Sequence, residues 1–264
     1  MVLISNAKLR ASYGEIGNEA IGDYMFEALI SQRENTSSTG YIYWVDGNGA
    51  NANRLTQYNM PKLVSKSLTW ERIRTTDIGL DLGFLNNELT VGFDWYQREN
   101  RDMLAPAQVL PNSVGATAPY DNAGTLRTRG WELNLDWHHK FGEFNVYANF
   151  NLSDSKTKVT KWNNDTKLLS SYYSGKNYGD IWGFETDRYF EESDFTGQNA
   201  DGSWNYKPGI AGQSALERAP FHYGPGDIKF KDLDGSGAID GGKGTADDHG
   251  DLKIIGNSLP RYEY

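Results

Sequence analysis

Alternation of apolar and polar residues with period two is the dominant signal along this chain. Between residues 76 and 85, Ile78, Leu80, Leu82 and Phe84 alternate with Gly79, Asp81 and Gly83. Between 88 and 98, Leu89, Val91, Phe93 and Trp95 alternate with Thr90, Gly92 and Asp94. The pattern returns at 125–139, with Trp131, Leu133, Leu135 and Trp137 against Glu132, Asn134 and Asp136. A further run at 143–160 sets Phe144, Val146, Ala148, Phe150 and Leu152 against Asn145, Tyr147, Asn149 and Asn151. An earlier strand is predicted at AKLRASYG, residues 7–14. Each strand has one apolar face and one face of Asp, Asn, Glu and Gly, because successive side chains point to opposite sides.

The predicted connections alternate in length. Asn86-Asn87 is a two-residue hairpin signal, and Lys140-Phe141-Gly142 joins the later pair. Long segments are expected over 15–67, over 99–124 with Pro106, Pro111 and Pro119, and over 161–225. Short turns at one end and long loops at the other suit an antiparallel up-and-down transmembrane β-barrel. A soluble β-sandwich also alternates, so alternation leaves both open. Trp95, Trp131 and Trp137 near strand ends suit an interfacial aromatic girdle and favour the barrel.

Composition narrows the choice. The chain has 26 Lys and Arg against 35 Asp and Glu, a net charge of −9. With no basic stripe, a nucleic-acid partner is not expected. The absence of Cys removes disulfides and thiol chemistry. No apolar run is long enough for a membrane-spanning helix, and MVLISNAKLRASYG does not read as a signal peptide. Neither test detects a β-barrel.

The stretch from Asp227 to Asp251 is dense in Asp and Gly. Ca2+ loops of the EF-hand type place oxygen ligands at positions 1, 3, 5, 7, 9 and 12, with Gly at 6. Counting from Asp232 puts Asp234 at the third position, Ser236 at the fifth, Gly237 at the sixth, the Ala238 carbonyl at the seventh and Asp240 at the ninth. Ile239 takes the eighth, where an apolar anchor is common. The twelfth is Lys243, which cannot ligate a cation, so Gly241 to Ala246 reads as an insertion and Asp247 or Asp248 is expected to supply the late carboxylate. A structural Ca2+ is the expected cofactor, because a flexible all-protein cage suits Mg2+ less well. The alternative is a hydrated turn with no ion.

No catalytic residues are expected. G-x-S-x-G, P-loop and HExxH patterns are absent, and adjacent acids such as Glu191-Glu192 do not define the spacing a glycosidase requires. His138 and His139 are neighbours on a strand and should point to opposite faces. Two aromatic, amide-rich loop stretches, Gly40–Asn53 and Asp180–Phe190, have the composition for stacking sugars; packing among loops or against a lid is the alternative. Asp81, Asp94, Glu132 and Asp136 would line a barrel lumen.

Five ordered blocks, Lys8–Asn18, Leu68–Leu104, Asn122–Leu133, Gly226–Asp240 and Ile254–Tyr264, resemble the SusC/RagA family, TonB-dependent outer-membrane transporters of Bacteroidetes. The resemblance implies a 22-stranded barrel filled by an N-terminal plug and capped by a SusD-type lipoprotein. It also implies import of oligosaccharides or peptides, driven by the TonB complex. On this reading residues 1–264 form part of the barrel domain, without plug or signal peptide, in contact with membrane lipid. Residues 226–251 are then an acidic loop inserted between strands. The rival expectation from another class is a secreted, calcium-stabilised β-sandwich that binds glycans; a glycan-cleaving enzyme is a third.

Overall fold

The computed structural model describes residues 4–18, 27–28, 30, 32–33, 43–45, 52–54, 57–58, 63–65, 68–106, 112–114 and 118–262. Among the described residues, fifteen strands follow in chain order: β1 (Ile4–Asn18), β2 (Gln32–Arg33), β3 (Tyr43–Val45), β4 (Ala52–Arg54), β5 (Gln57–Tyr58), β6 (Glu71–Phe84), β7 (Leu89–Pro106), β8 (Tyr120–Phe141), β9 (Phe144–Lys161), β10 (Asp180–Phe184), β11 (Thr186–Tyr189), β12 (Phe195–Gln198), β13 (Trp204–Tyr206), β14 (Ile228–Phe230) and β15 (Leu252–Asn257). The five long strands form one sheet in the order β1-β6-β7-β8-β9, and the short ones pair as β10-β15, β11-β14, β12-β13, β2-β5 and β3-β4. Among the described residues no helix is long and apolar enough to cross a membrane.

The hairpins follow from their turn residues. Asn86 and Asn87 have φ of 59° and 66°, and the Glu88 N–H donates to the Leu85 carbonyl at 3.2 Å. Left-handed backbone at both central positions matches the twist of the flanking strands, and Asn tolerates it better than most residues. At the second hairpin Gly142 takes φ of 62°.

Side-chain contacts fix which residues share a face. Arg10, Asp81 and Asp94 meet on one side. Thr128 and Thr157 bond at 2.8 Å there, and Asp136 and Asn149 are hydrogen-bonded further along the same β8-β9 pair. On the opposite side the Phe93 and Trp131 rings stack at 6.4 Å and Arg129 donates to Gln97. The apolar residues of that second face are left uncovered. Leu9 is 74% exposed and Phe144 77%, and Ile78, Leu80, Phe93, Trp95, Val146 and Phe150 are exposed too. Among the described residues no second sheet packs on this face, as a sandwich would require.

The long strands reach further than alternation alone suggests. β7 runs on to Pro106 and β8 begins at Tyr120, so the connection expected over 99–124 is shorter; Pro111 lies outside the described residues. Polar contacts hold these strand ends, where the apolar alternation has lapsed. The Leu104 N–H donates to Glu71, Arg72 pairs with Asp102, and the Asn122 amide donates to the carbonyls of Thr69 and Asp102.

By packing, the chain divides into two compact units. One comprises Met1–Gly14, Thr75–Arg98 and Leu126–Tyr264, the other Glu15–Arg74 and Glu99–Thr125. Within the first, the segment expected as a long loop over 161–225 carries its own small core. Phe190, Phe195, Trp204 and Tyr206 pack with ring centroids 5.1 to 5.7 Å apart, and Phe190 and Phe195 are buried. Asp194 lies beside this core, gripped by both terminal nitrogens of Arg188 at 2.6 and 2.7 Å.

Candidate functional site

Two arrangements hold the polar chemistry. The first is the polar face of the long strands. Arg10 on β1 reaches both oxygens of Asp81 on β6 at 2.8 Å, then Asp94 on β7 at 3.0 Å. Gly79 makes the crossing possible, because a Cβ there would stand 2.2 Å from an Asp94 oxygen and 2.7 Å from the Arg10 guanidinium. Asn149, hydrogen-bonded to Asp136, also accepts from Asn151 at 2.8 Å. Glu132 is exposed on the same face. The face carries one bridging guanidinium among carboxylates and amides, a surface suited to water and polar solutes.

The second arrangement is the acidic loop, which is docked by its middle. Ile239 is fully buried and its N–H donates to the Gly212 carbonyl at 2.7 Å, while Gly212 donates to Gly237 at 3.1 Å. Gln213, also fully buried, clamps β14 by donating to the Ile228 carbonyl and accepting from the Phe230 N–H. An apolar side chain at the eighth position thus pins the turn onto the loop core, and the Gly residues on either side supply the tight bends. Gly235 and Gly237 have φ of 76° and 79°, conformations that L side chains avoid.

Within the turn, Asp232 accepts from the Gly235 and Gly237 amides at 2.7 and 2.9 Å. Asp234 accepts from the Ser236 N–H at 2.9 Å, which holds its carboxyl below the usual range. The Ser236 hydroxyl donates to the Ala238 carbonyl, and Asp240 accepts from Gly242. The late acids are placed elsewhere. Asp247 pairs with Lys167 at 3.0 Å, and Asp248 pairs with Lys243 at 3.2 Å.

The carboxylate that joins Asp232 and Asp234 is Asp251, with one oxygen from each lying within 4.8 Å of the others. Asp251 is completely buried, accepting from Leu233 at 2.6 Å and from Asp240 at 3.0 Å. Sequence spacing missed it because the insertion moves it far beyond the twelfth position; the signal was its place at the start of the β15 apolar run. Three convergent carboxylates form an all-oxygen donor set of the kind a hard cation such as Ca2+ takes.

The remaining candidates are placed plainly. Across Asp180–Phe190, Phe184 packs on Phe230 at 5.3 Å, Trp182 on His249 at 5.2 Å, and Phe190 lies in the loop core. These aromatics serve loop-to-loop packing. Of Gly40–Asn53, only Tyr43–Val45 and Ala52–Asn53 are described, in the paired strands β3 and β4; the rest lies outside the described residues. His139 bonds to Glu88 at 2.7 Å, whereas His138 stacks on Tyr147. The two imidazoles diverge.

Comparison with known proteins agrees with this architecture. Residues 2–237 match the family described as TonB dependent receptor-like, beta-barrel. The chain is 28% identical over 274 residues to TonB-dependent receptor P3 of Formosa agariphila, covering 98% of this chain and 23% of that protein. It is 27% identical over 137 residues to TonB-dependent receptor SusC of Bacteroides thetaiotaomicron, covering 51% of this chain and 12% of SusC. Among solved structures, the RagAB peptide importer in its closed-closed state superposes with a TM-score of 0.57 at 22% identity, over 78% of this chain and 22% of that one. The chain therefore spans less than a quarter of the length of these relatives.

Proposed function

Since this chain belongs to the TonB-dependent receptor-like β-barrel family, we propose that it forms part of the wall and outer loops of an outer-membrane transporter. The observation that carries this reading is the two-faced sheet. One face exposes large apolar side chains that water would disfavour, and the other carries a bridging guanidinium among carboxylates and amides. In lipid, a sheet must satisfy its backbone through neighbouring strands, and β1 and β9 are the edges at which a larger barrel would continue.

The cargo is proposed to be an oligosaccharide or a peptide, passing along the polar face with no chemistry on the substrate. The partners proposed are a SusD-type lipoprotein at the extracellular mouth and the TonB complex as energy source. Their support is the likeness to SusC and to the RagAB peptide importer. The acidic loop is proposed to hold a structural Ca2+ through Asp232, Asp234 and Asp251, supplying positive charge among three carboxylates. Its residues tie β14 to β15 through backbone amides in either case.

Cell fractionation with an antibody against residues 161–225 tests the location. Recovery of the antigen in the outer-membrane fraction, in a species several times larger than 29.6 kDa, is the expected result. A soluble or secreted species would overturn the reading.

A further inference from the structure

The outer edge of β9 is paired over only part of its length. At its far end the Val159 N–H donates to the Lys176 carbonyl at 2.8 Å, Gly175 donates back to Val159, and Tyr178 donates to Thr157. Lys158 and Asn177 form an antiparallel bridge there. Residues 175–178 thus run against β9 as a neighbouring wall strand would. The backbone groups of one strand edge recur at every second residue, so the same edge continues through Ser155, Ser153, Asn151, Asn149, Tyr147 and Asn145. Among the described residues β9 is the last strand of its sheet, and no strand pairs with it over that stretch. In lipid, that row of N–H and C=O groups requires a partner.

The chain leaves this edge at Gly179 and comes back to it at Ser258. Asp180 and Asn257 are register partners at the start of the β10-β15 ladder, and the Ser258 N–H donates to the Gly179 carbonyl at 2.9 Å. Asn257 bolts the crossing. Its amide donates to the Tyr178 carbonyl at 3.0 Å and to Asp180 at 3.1 Å, and its side-chain oxygen accepts from the Leu259 N–H at 2.9 Å. Gly179 has φ of 88°, and a Cβ there would stand 2.6 Å from that Asn257 oxygen. Beyond the crossing, Leu259, Pro260 and Arg261 share a cleft of about 300 Å³ with Asp154 to Thr157, and Arg261 Nε lies 3.9 Å from Asp154. Ser258 sits beside Gly179 and Arg261 beside Asp154, so the returning chain travels along β9 in the direction that 175–178 were heading. Pro260, with no N–H to donate, suits the first position of a strand.

We propose that residues 175–178 and the chain from Arg261 onward are two pieces of one wall strand beside β9, and that residues 180–257 are a module inserted at the Gly179–Ser258 crossing. The free edge of β9 is then the docking surface for the segment that follows Arg261. The module carries its own buried side chains, Phe190, Phe195 and Ile239, as a separately packed insertion requires. This rests on the outer-membrane reading, because a wall in lipid is what demands that the edge be filled.

The test is disulfide trapping in the intact protein, in outer membranes. Three residues of strand beyond Arg261 span roughly 10 Å, which would bring Tyr264 level with Asn151 and Leu152. After oxidation, Asn151→Cys/Tyr264→Cys or Leu152→Cys/Tyr264→Cys should yield a linked peptide by mass spectrometry. Lys158→Cys/Asn177→Cys, across the observed bridge, should link as well. No link from Tyr264 in either pair would overturn the composite strand while leaving the membrane location intact. A second variant replaces residues 181–256 by Asn-Gly, a two-residue turn between the register partners Asp180 and Asn257. It should keep both the Tyr264 link and heat-modifiable gel mobility. Failure to recover a folded barrel would overturn the separateness of the module, and the Tyr264 link in the intact protein would still decide the strand. A soluble protein would instead overturn the outer-membrane reading.

Discussion

Arg10 holds Asp81 through two parallel hydrogen bonds, Nε and Nη2 each at 2.8 Å from a carboxylate oxygen, and the same Nη2 reaches Asp94 on the next strand. One guanidinium thus joins three strands over the bare backbone of Gly79. Arg10→Gln should leave two carboxylates facing each other without a cation and lower the heat-unfolding midpoint by a few degrees. Gly79→Ala should do the same by pushing the guanidinium away, because its Cβ would stand 2.7 Å from Arg10. Loss of heat-modifiable mobility at lower temperature checks both; an unchanged midpoint in Arg10→Gln would show that the triad contributes nothing to the wall.

Asp251 is the buried acceptor for the Leu233 and Asp240 amides. Asp251→Ala leaves those donors unsatisfied and should cost the loop about 2–6 kcal/mol, at about 1–3 kcal/mol for each stranded group. Ile239→Ala removes the fully buried anchor and should cost a similar ~2–5 kcal/mol. Hydrogen exchange at Leu233–Asp240 reads both. Lys243→Ala, whose side chain is 83% exposed, should leave exchange there unchanged.

Acid should loosen the loop core in a defined window. Hydrogen bonds from Lys231 and Lys253 lower Glu185 from 4.5 to about 2, and the Arg188 fork lowers Asp194 from 3.8 to about 2. A depressed folded-state value means the stabilisation is complete above the ordinary carboxylate value and fades as pH falls towards the depressed one. Exchange protection of the β11-β14 and β10-β15 pairs should therefore hold above about pH 5 and decline towards pH 2. Glu185→Gln and Asp194→Asn should lower protection at neutral pH and flatten the decline; a wild-type profile flat across that window would contradict the assignment.

Ca2+ should slow exchange at Gly235–Asp240, and EGTA should reverse it. Asp232→Asn or Asp234→Asn should abolish the response, because each removes one of three convergent carboxylates. No calcium-dependent change in the wild type would leave the loop organised by its backbone hydrogen bonds alone.

The wall was more legible in the sequence than the loops, for physical reasons. Ile78 to Phe84 and Trp131 to Trp137 advertise a strand because one face must be apolar throughout, and Asn86-Asn87 advertises its turn through the left-handed backbone it tolerates. The strand ends near Asp102 and Asn122 carry no such pattern, since side-chain amides and carboxylates extend the pairing there. In the loop, the spacing from Asp232 to Asp240 was readable, but Asp251 was not. An insertion separates it, and Asp247 and Asp248 are diverted to Lys167 and Lys243. Likewise the aromatic residues of Asp180–Phe190 have the composition of a sugar site, yet Phe184 and Phe190 are spent on packing.

The short span of the Asp251 latch bears on the order in which the molecule assembles. Its bond to Leu233 closes 18 residues, whereas the Arg10–Asp81 pair closes 71. Loop-closure entropy grows as the logarithm of length, so the longer closure costs about 1.2 kcal/mol more before any contact rewards it. The acidic loop also fixes where β15 begins, one residue after Asp251. The connection from β14 to β15 can thus close early, while the first strand is still searching for its neighbour.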